Sequence, residues 1–429
     1  MGGGDRVARH HAAGKLDVRQ RISRLLDDDT FVEIGQFVGA VPEPGDPHAP
    51  ADGFVAGFGR IDGRPVLAGA EDFTVLGGSI GTGAADKRYR LAQLAAQEGV
   101  PLVMILEGAG HRLTNRHVGR RPNDLQALAE LSGQVPMVCL VLGPSAGHGA
   151  LTAVMCDFVV MSDNGALFTA GPPLVKAALG EDATKEQLGG PHVQLTESGV
   201  AHNGVRDDDE ALALARRYLS YFPLNCRSTT DWVDTGDTGP RVIEEMLALV
   251  PPDPRRPYSM STVVRHTFDA GTVLEIQPQF GRSIVCALAR LGGHSVAVVA
   301  NDPGTRAGTI DCAAADKAAH FLDVAGAFHL PVVFLADNPG VLAGTHSERQ
   351  GMLRRAARLF MAQHRLDVTK LHVTMRKAFG FGSSVMGQNS FDHQTITYAF
   401  PTATLGSMPA DSGSAAAGYD DDTRARLDR

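Results

Sequence analysis

Apolar and polar positions in this chain fall into one pattern that occurs twice. Residues 60–110, "RIDGRPVLAGAEDF…GTGAADKRYRLAQLAAQEGVPLVMILEGAG", read as an apolar strand, a glycine-rich turn, an amphipathic helix and a nearly all-apolar strand closed by an acidic residue and glycine. A strand that is apolar on both faces belongs in a sheet covered on both sides. Strand–helix–strand order at this length predicts a right-handed parallel crossover.

The same pattern returns without a gap in residues 290–340, "RLGGHSVAVVANDP…DCAAADKAAHFLDVAGAFHLPVVFLADNPG", at a constant offset of 230, with 15 of 51 positions identical. Ala84-Ala85-Asp86-Lys87 matches Ala314-Ala315-Asp316-Lys317, and Pro101 matches Pro331. The period is far too long for a solenoid, so the chain reads as a duplicated domain. A second match follows at offset 233, where "VPMVCLVLGPSAGHGA" (135–150) pairs with "VTKLHVTMRKAFGFGS" (368–383), and "ALFTAGP" (166–172) aligns with "ATLGSMP" (403–409). The expected organisation is α/β throughout: a first domain over 1–222, a turn-rich linker over 223–258 containing "DTGDTGP" and "VPPDPRRP", and a second domain over 259–429. After residue 172 the first half continues for about 50 residues, whereas the second ends in the small, polar, disorder-prone "ADSGSAAAGYDDDTRARLDR".

Composition narrows the functional classes. In 429 residues, 43% are hydrophobic and 21% charged, as in ordinary globular proteins, and the net charge of −8 without a dense Lys/Arg block argues against nucleic acid or an anionic membrane as partner. Cys139, Cys156, Cys226, Cys286 and Cys312 are widely spaced, which suits buried free thiols in a reducing compartment. The polar start "MGGGDRVARHHAAGKLDVRQR" has no apolar signal region, and no 18 apolar residues run together. The sequence therefore predicts a cytoplasmic protein with no metal site.

Candidate chemistry centres on Gly143-Pro144-Ser145-Ala146-Gly147, which fits the G-x-S-x-G elbow of serine hydrolases between a strand and a helix. The repeat weakens that reading: Ser145 faces Ala378, whereas Gly147 faces Gly380 and Gly149 faces Gly382. The two loops share backbone, not a hydroxyl. A glycine-rich turn can aim successive N–H groups at one point and so stabilise an oxyanion. A second loop lies at each strand tip, Glu107-Gly108-Ala109-Gly110 in one half and Asp337-Asn338-Pro339-Gly340 in the other. Glycine also serves simple turns and close packing, and a single loop supports either reading; four loops in equivalent places favour one anion pocket per half. Elsewhere, His10-His11 reads as a solvated terminal pair, "GGSIGTGAADK" (77–87) lacks the G-K-[ST] ending of a phosphate loop, and Asp207-Asp208-Asp209-Glu210 reads as a helix start.

From about Lys15 to Met408 the chain resembles the carboxyltransferase (beta) subunits of biotin-dependent acyl-CoA carboxylases, of the propionyl-CoA carboxylase beta type. The resemblance rests on "RQRISRLLDDDTFVEIG", "GPSAGHGALTAVMCDFVVM", "LGGPHVQLTESGVAH", "VANDPGTRAGTIDCAAADKAAHFLD", "DNPGVLAGTHSE" and "RKAFGFGSSVMG". It implies two crotonase-like domains, a hexamer with sites between subunits, and transfer of a carboxyl group from carboxybiotin to the α-carbon of an acyl-CoA. Biotin would arrive on a partner biotin carboxylase or biotin carrier subunit, and in the family's view biotin itself takes the α-proton. The family's first donor pair, Gly-Gly before Ala-Arg, falls on Ala109 and Gly110, followed by His111 and Arg112. The second pair, Gly-Ala, falls on Phe381 and Gly382, followed by Ser384 where an acidic residue is common. Gly147, His148 and Gly149 replace a common Gly-Gly and are expected to line the substrate pocket, as are Ala170, Gly171, Pro339 and Gly340. Two rival readings stay in play: a carboxyl-CoA decarboxylase subunit, and a catalytically weak assembly partner of a full-length paralogue.

Overall fold

The structure, a computed structural model, describes residues 1–39, 48–112, 123–237, 240–388, 396–408, 413 and 417–418. The 410–429 tail therefore lies outside the described residues apart from Gly413, Ala417 and Gly418. The chain forms two compact units, Met1–Thr229 and Thr230–Arg429.

In the first unit, strands Val32–Ile34, Phe54–Ile61 and Arg64–Glu71 pair antiparallel. From Arg64–Glu71 the sheet continues in parallel through Leu102–Gly108, Met137–Ala146 and Phe158–Ser162 to Asn203–Val205. Helix Thr82–Glu98 makes the predicted crossover. Its Leu91, Ala92 and Ala95 bury against Leu67, Leu102 and Met104, which explains why the strands it covers lack polar alternation. The helix stops at Gly99, whose φ of +62° suits glycine.

The second unit repeats this plan at the sequence offsets. Strands Ile284–Leu291, His294–Asn301 and Val332–Asn338 begin and end 230 residues after their counterparts, and Lys370–Phe379 lies 233 after Met137–Ala146. Helix Cys312–Ala327 starts 230 after Thr82–Glu98. Residues just after Thr230 pack on this unit: the Trp232 indole N–H donates to the Gly292 carbonyl at 2.9 Å, and Arg376 donates to the carbonyls of Asp253 and Arg256. One alignment shifts. Pro144 pairs with Ala166 while its counterpart Lys377 pairs with Thr404, so Ala166 corresponds to Thr404, one residue later than sequence matching places it.

The shared Ala-Ala-Asp-Lys stretch has a structural cause. Lys87 is buried and its ammonium donates to the carbonyls of Ala51 and Phe54, while Lys317 donates to those of Gln277, Phe280 and Ile284. Each lysine ties its crossover helix to the start of the sheet. Burial lowers both ammonium pKa values, that of Lys87 to about 8. Among the described residues no helix is long and apolar enough to cross a membrane.

Candidate functional site

In each unit two loops meet at the C-terminal ends of the central parallel strands. In the first, the chain leaves strand Leu102–Gly108 and turns at Gly110, whose φ is +80°. The Gly110 carbonyl accepts from the Ile80 N–H at 2.8 Å, and the Arg112 N–H returns to the Ile80 carbonyl at 3.0 Å. A β-carbon on Gly110 would stand 2.5 Å from the Ala146 carbonyl oxygen, so this loop touches the end of the neighbouring strand. There Gly147, at φ +54°, turns strand Met137–Ala146 into helix His148–Val154 and donates its own N–H to the Phe168 carbonyl at 3.0 Å. His148 and Gly149 occupy the first helical turn, where N–H groups have no intrahelical acceptor.

The second unit builds the same corner. Gly340 (φ +124°) accepts from the Ile310 N–H at 3.1 Å, the Leu342 N–H returns to Ile310 at 2.9 Å, and Gly380 (φ +54°) opens the turn that carries Phe381 and Gly382. A β-carbon on Gly382 would lie 2.7 Å from the Gly340 α-carbon. Phe381 is 47% exposed, with its ring 5.4 Å from that of Phe360.

These contacts sort the expected donors. The Ala109 N–H is donated to the Gly77 carbonyl at 3.0 Å, so Ala109 is not the open donor that the alignment implies. The Gly110 N–H donates to no described residue and remains open. In the second unit Pro339 has no N–H, and the Gly340 N–H is taken by the Asn338 side chain at 3.0 Å. Ala170 and Gly171 are half-buried after strand Ala166–Phe168, and Gly171 starts helix Pro172–Leu179.

Ser145 is fully buried, and its hydroxyl has no hydrogen-bond partner among the described residues. His148 does not serve it as a base: its Nε2 bonds Asp124 Oδ1 at 2.6 Å, and neither ring nitrogen makes a hydrogen bond to the Ser145 hydroxyl. The hydrolase reading therefore fails on both exposure and geometry. His10, expected at the solvated terminus, is instead buried, with Nε2 3.1 Å from the Leu16 carbonyl and 3.7 Å from Glu107.

Sequence reasoning missed the charged layer beneath the first corner. Arg88 is buried and donates to Asp124 at 2.9 Å, Glu71 at 3.1 Å and Thr152 at 2.6 Å. Glu71 also accepts from the Glu107 backbone N–H, and the Glu107 carboxylate meets Lys15 at 2.5 Å and Arg21 at 2.7 Å. Burial pushes the Glu71 carboxyl up against the pull of Arg88. For Asp124, burial works in the same upward sense, but the hydrogen bond with His148 and the Arg88 charge prevail and hold it at about 2. In the second unit Asp337 takes the corresponding place, held by Arg376 and the Tyr258 hydroxyl, each at 2.8 Å. Only the acidic residue at each strand tip had marked these clusters in the sequence. Beside the first corner lies a cavity of about 480 Å³ lined by Arg6, Arg9, Lys15, Phe73, Gly77 and Glu107.

Comparison with known proteins agrees with this fold. The carboxyl transferase domain profile matches residues 9–427. The propionyl-CoA carboxylase carboxyltransferase subunit of Haloferax mediterranei is 35% identical over 95% of this chain and 80% of its own length. The methylmalonyl-CoA decarboxylase subunit alpha of Veillonella parvula is also 35% identical, over 95% of this chain and 81% of its own length. A crystal structure of transcarboxylase 12S, described as a hexamer with methylmalonyl-coenzyme A bound, superposes with a TM-score of 0.92 at 32% identity, covering 99% of this chain and 84% of that one. The two parallel-rich α/β units form the duplicated crotonase-like fold that the resemblance implied.

Proposed function

The chain belongs to the carboxyl transferase domain family, and from that premise we propose how its two corners divide the work of moving a carboxyl group from carboxybiotin to an acyl-CoA. The reaction develops negative charge on two reactants, the thioester oxygen of an enolate and the ureido oxygen of biotin. The observation that carries this reading is the repetition of one corner in both units. Donors fixed before charge develops stabilise it most, and one such amide is worth roughly 3 kcal/mol.

We assign the thioester to the first corner, with Gly110 and the first-turn amides of His148 and Gly149 as donors. The neighbouring cavity carries Arg6, Arg9 and Lys15, cations suited to the phosphates of coenzyme A. The second corner, with Phe381 and Gly382 in its first turn, then takes the ureido group, and biotin supplies the transferable carboxyl group when a partner subunit delivers it. Neither assignment calls on Ser145.

The partners are a biotin carboxylase and a biotin carrier, together with further copies of this chain in a hexamer. The experiment is to purify the chain, supply N-carboxybiotin with acetyl-, propionyl- or longer acyl-CoAs, and follow the carboxylated thioester. Transfer to at least one thioester is the expected result, and none with any partner from the native cell would overturn the reading. Likeness to the Veillonella decarboxylase subunit supports the reverse half-reaction as a second reading, seen as loss of carboxylate from a carboxyacyl-CoA onto free biotin.

A further inference from the structure

The two corners are equivalent in backbone but not in side chains. His111, Arg112 and His148 of the first correspond to Val341, Leu342 and Phe381 of the second. Arg112 follows Gly110 by two residues, and its guanidinium turns back on the segments beneath the loop. Nη1 donates to Asp52 Oδ1 at 2.6 Å, Nε to the Ser79 hydroxyl at 3.1 Å and Nη2 to the Ser79 carbonyl at 3.0 Å. The Asp52 carboxylate is fully buried and the Arg112 side chain is only 12% exposed, so little water competes for these charge-assisted bonds.

The same carboxylate holds the crossover helix. Asp52 Oδ2 accepts from the Ala84 N–H at 3.0 Å, in the first turn of Thr82–Glu98, whose own N-cap Gly81 has no side chain to offer. A β-carbon on Gly81 would overlap Arg112 Nη1 and Asp52 Oδ2, so glycine there makes room for the pair. Lys87 grips the carbonyls of Ala51 and Phe54, on either side of Asp52-Gly53, and so fixes where the carboxylate stands. The second unit is capped differently. Asp311, in the place of Gly81, itself accepts from the Ala314 N–H at 2.9 Å, its other oxygen takes the exposed Arg306, and Leu342 has nothing to donate. Only the first corner, of the two, ties its tip loop to its crossover helix through side chains.

That tie bears on Gly110. Main-chain bonds from Ala109 to Gly77, from Ile80 to Gly110 and from Arg112 to Ile80 lay the tip loop along residues 77–80, and the Arg112 side chain clamps the same segment at Ser79. We infer that Arg112, seated on Asp52 and Ser79, is the positioning residue for the Gly110 amide. This rests on Gly110 serving as a donor to the thioester oxygen. A donor is useful only where it is aimed before charge develops, and a misplacement of about 1 Å costs on the order of 100-fold in rate.

The test compares Arg112→Gln and Asp52→Asn with the wild-type full chain in two measurements. Amide hydrogen exchange by mass spectrometry reads the loop without substrate: in Arg112→Gln the peptides carrying the Ile80 and Ala109 amides should exchange about 10-fold faster or more, while the peptide carrying Ile310 keeps its wild-type rate. In carboxyl transfer from N-carboxybiotin to propionyl-CoA, Arg112→Gln should lose about 100-fold in kcat with KM within about twofold, a split that a general loss of folded protein does not produce. Guanidinium ion added to Arg112→Ala should restore about 10-fold or more of that loss. Asp52→Asn, whose amide oxygen can still cap Ala84, should fall between, and Arg306→Gln in the second unit should match the wild type. Unchanged exchange in Arg112→Gln, or a wild-type kcat in both first-unit variants, overturns the inference; if Arg112→Gln does not fold, Asp52→Asn carries the same two readings. Gly110→Ala scores the donor separately: normal turnover by it defeats the donor assignment, whereas its loss beside unimpaired Arg112 and Asp52 variants defeats only the positioning role. A wild type that transfers no carboxyl group defeats the assigned reaction, and the exchange rates then decide the clamp by themselves.

Discussion

Replacing Arg88 with methionine tests whether the charged layer under the first corner is a structural requirement. Arg88, Glu71 and Asp124 are each almost fully buried, and one guanidinium serves both carboxylates and Thr152. Methionine fills a similar volume, but it leaves two carboxyl groups in the core without their cation. Breaking a buried pair in this way costs about 3–5 kcal/mol, because the remaining partner stays desolvated. For a unit of this size each kcal/mol shifts the melting temperature by about 2–4 °C, so the predicted drop is on the order of 6–20 °C. Differential scanning calorimetry at pH 7 measures it directly. Arg24→Met is the control, since Arg24 and its partner Asp209 are largely exposed, and it should melt with the wild type. At pH 4 the Arg88 deficit should narrow, because carboxyl groups stranded by the substitution become neutral as protons bind. A shift within 1 °C of wild type at pH 7 would refute the argument that the guanidinium holds this layer together.

Other substitutions probe individual contacts. Ser145→Ala removes a buried hydroxyl that has no partner among the described residues, so it should leave stability within about 1 kcal/mol and carboxyl transfer near the wild-type rate, and the wild type should resist a serine-directed fluorophosphonate. Gly110→Ala places a methyl group 2.5 Å from the Ala146 carbonyl at a φ of +80°; steady-state kinetics should show kcat down by about 100-fold or more as the donor shifts. Asp124, held at about 2 in the folded protein and ionising at 3.8 when free, adds stability that is present above pH 4 and lost as pH falls toward 2. Chemical denaturation across that window should show about 2 kcal/mol more acid loss for wild type than for Asp124→Asn.

Much of the scaffold was legible because it depends on local pattern. The all-apolar strands Leu102–Gly108 and Val332–Asn338 and the amphipathic helices before them could only form covered parallel sheets, and the constant offset forced two copies of whatever one copy did. The donors were harder to read. That Ala109 gives its N–H to Gly77 depends on a non-helical turn at Gly77, with φ of +64°, which brings a segment 32 positions away against the strand tip. No spacing rule encodes that contact. The charged layer was hidden for a similar reason: Arg88, Asp124 and Glu71 come from three elements that converge only in the folded unit, and each alone looks like an ordinary surface charge. Lys87 was visible as a repeated residue, but its burial and carbonyl contacts were not.

The matched lysines and the mismatched loops of the two units separate what duplication preserves from what it releases. Lys87 and Lys317 each secure a crossover helix through main-chain oxygens, so the anchor does not depend on which side chains surround it. The tips above were then free to diverge, one toward histidine and carboxylate, the other toward valine, phenylalanine and an amide. Grafting Val341 and Phe381 into the first unit, or the histidines into the second, should exchange the chemistry of the tips while both crossover helices stay in place.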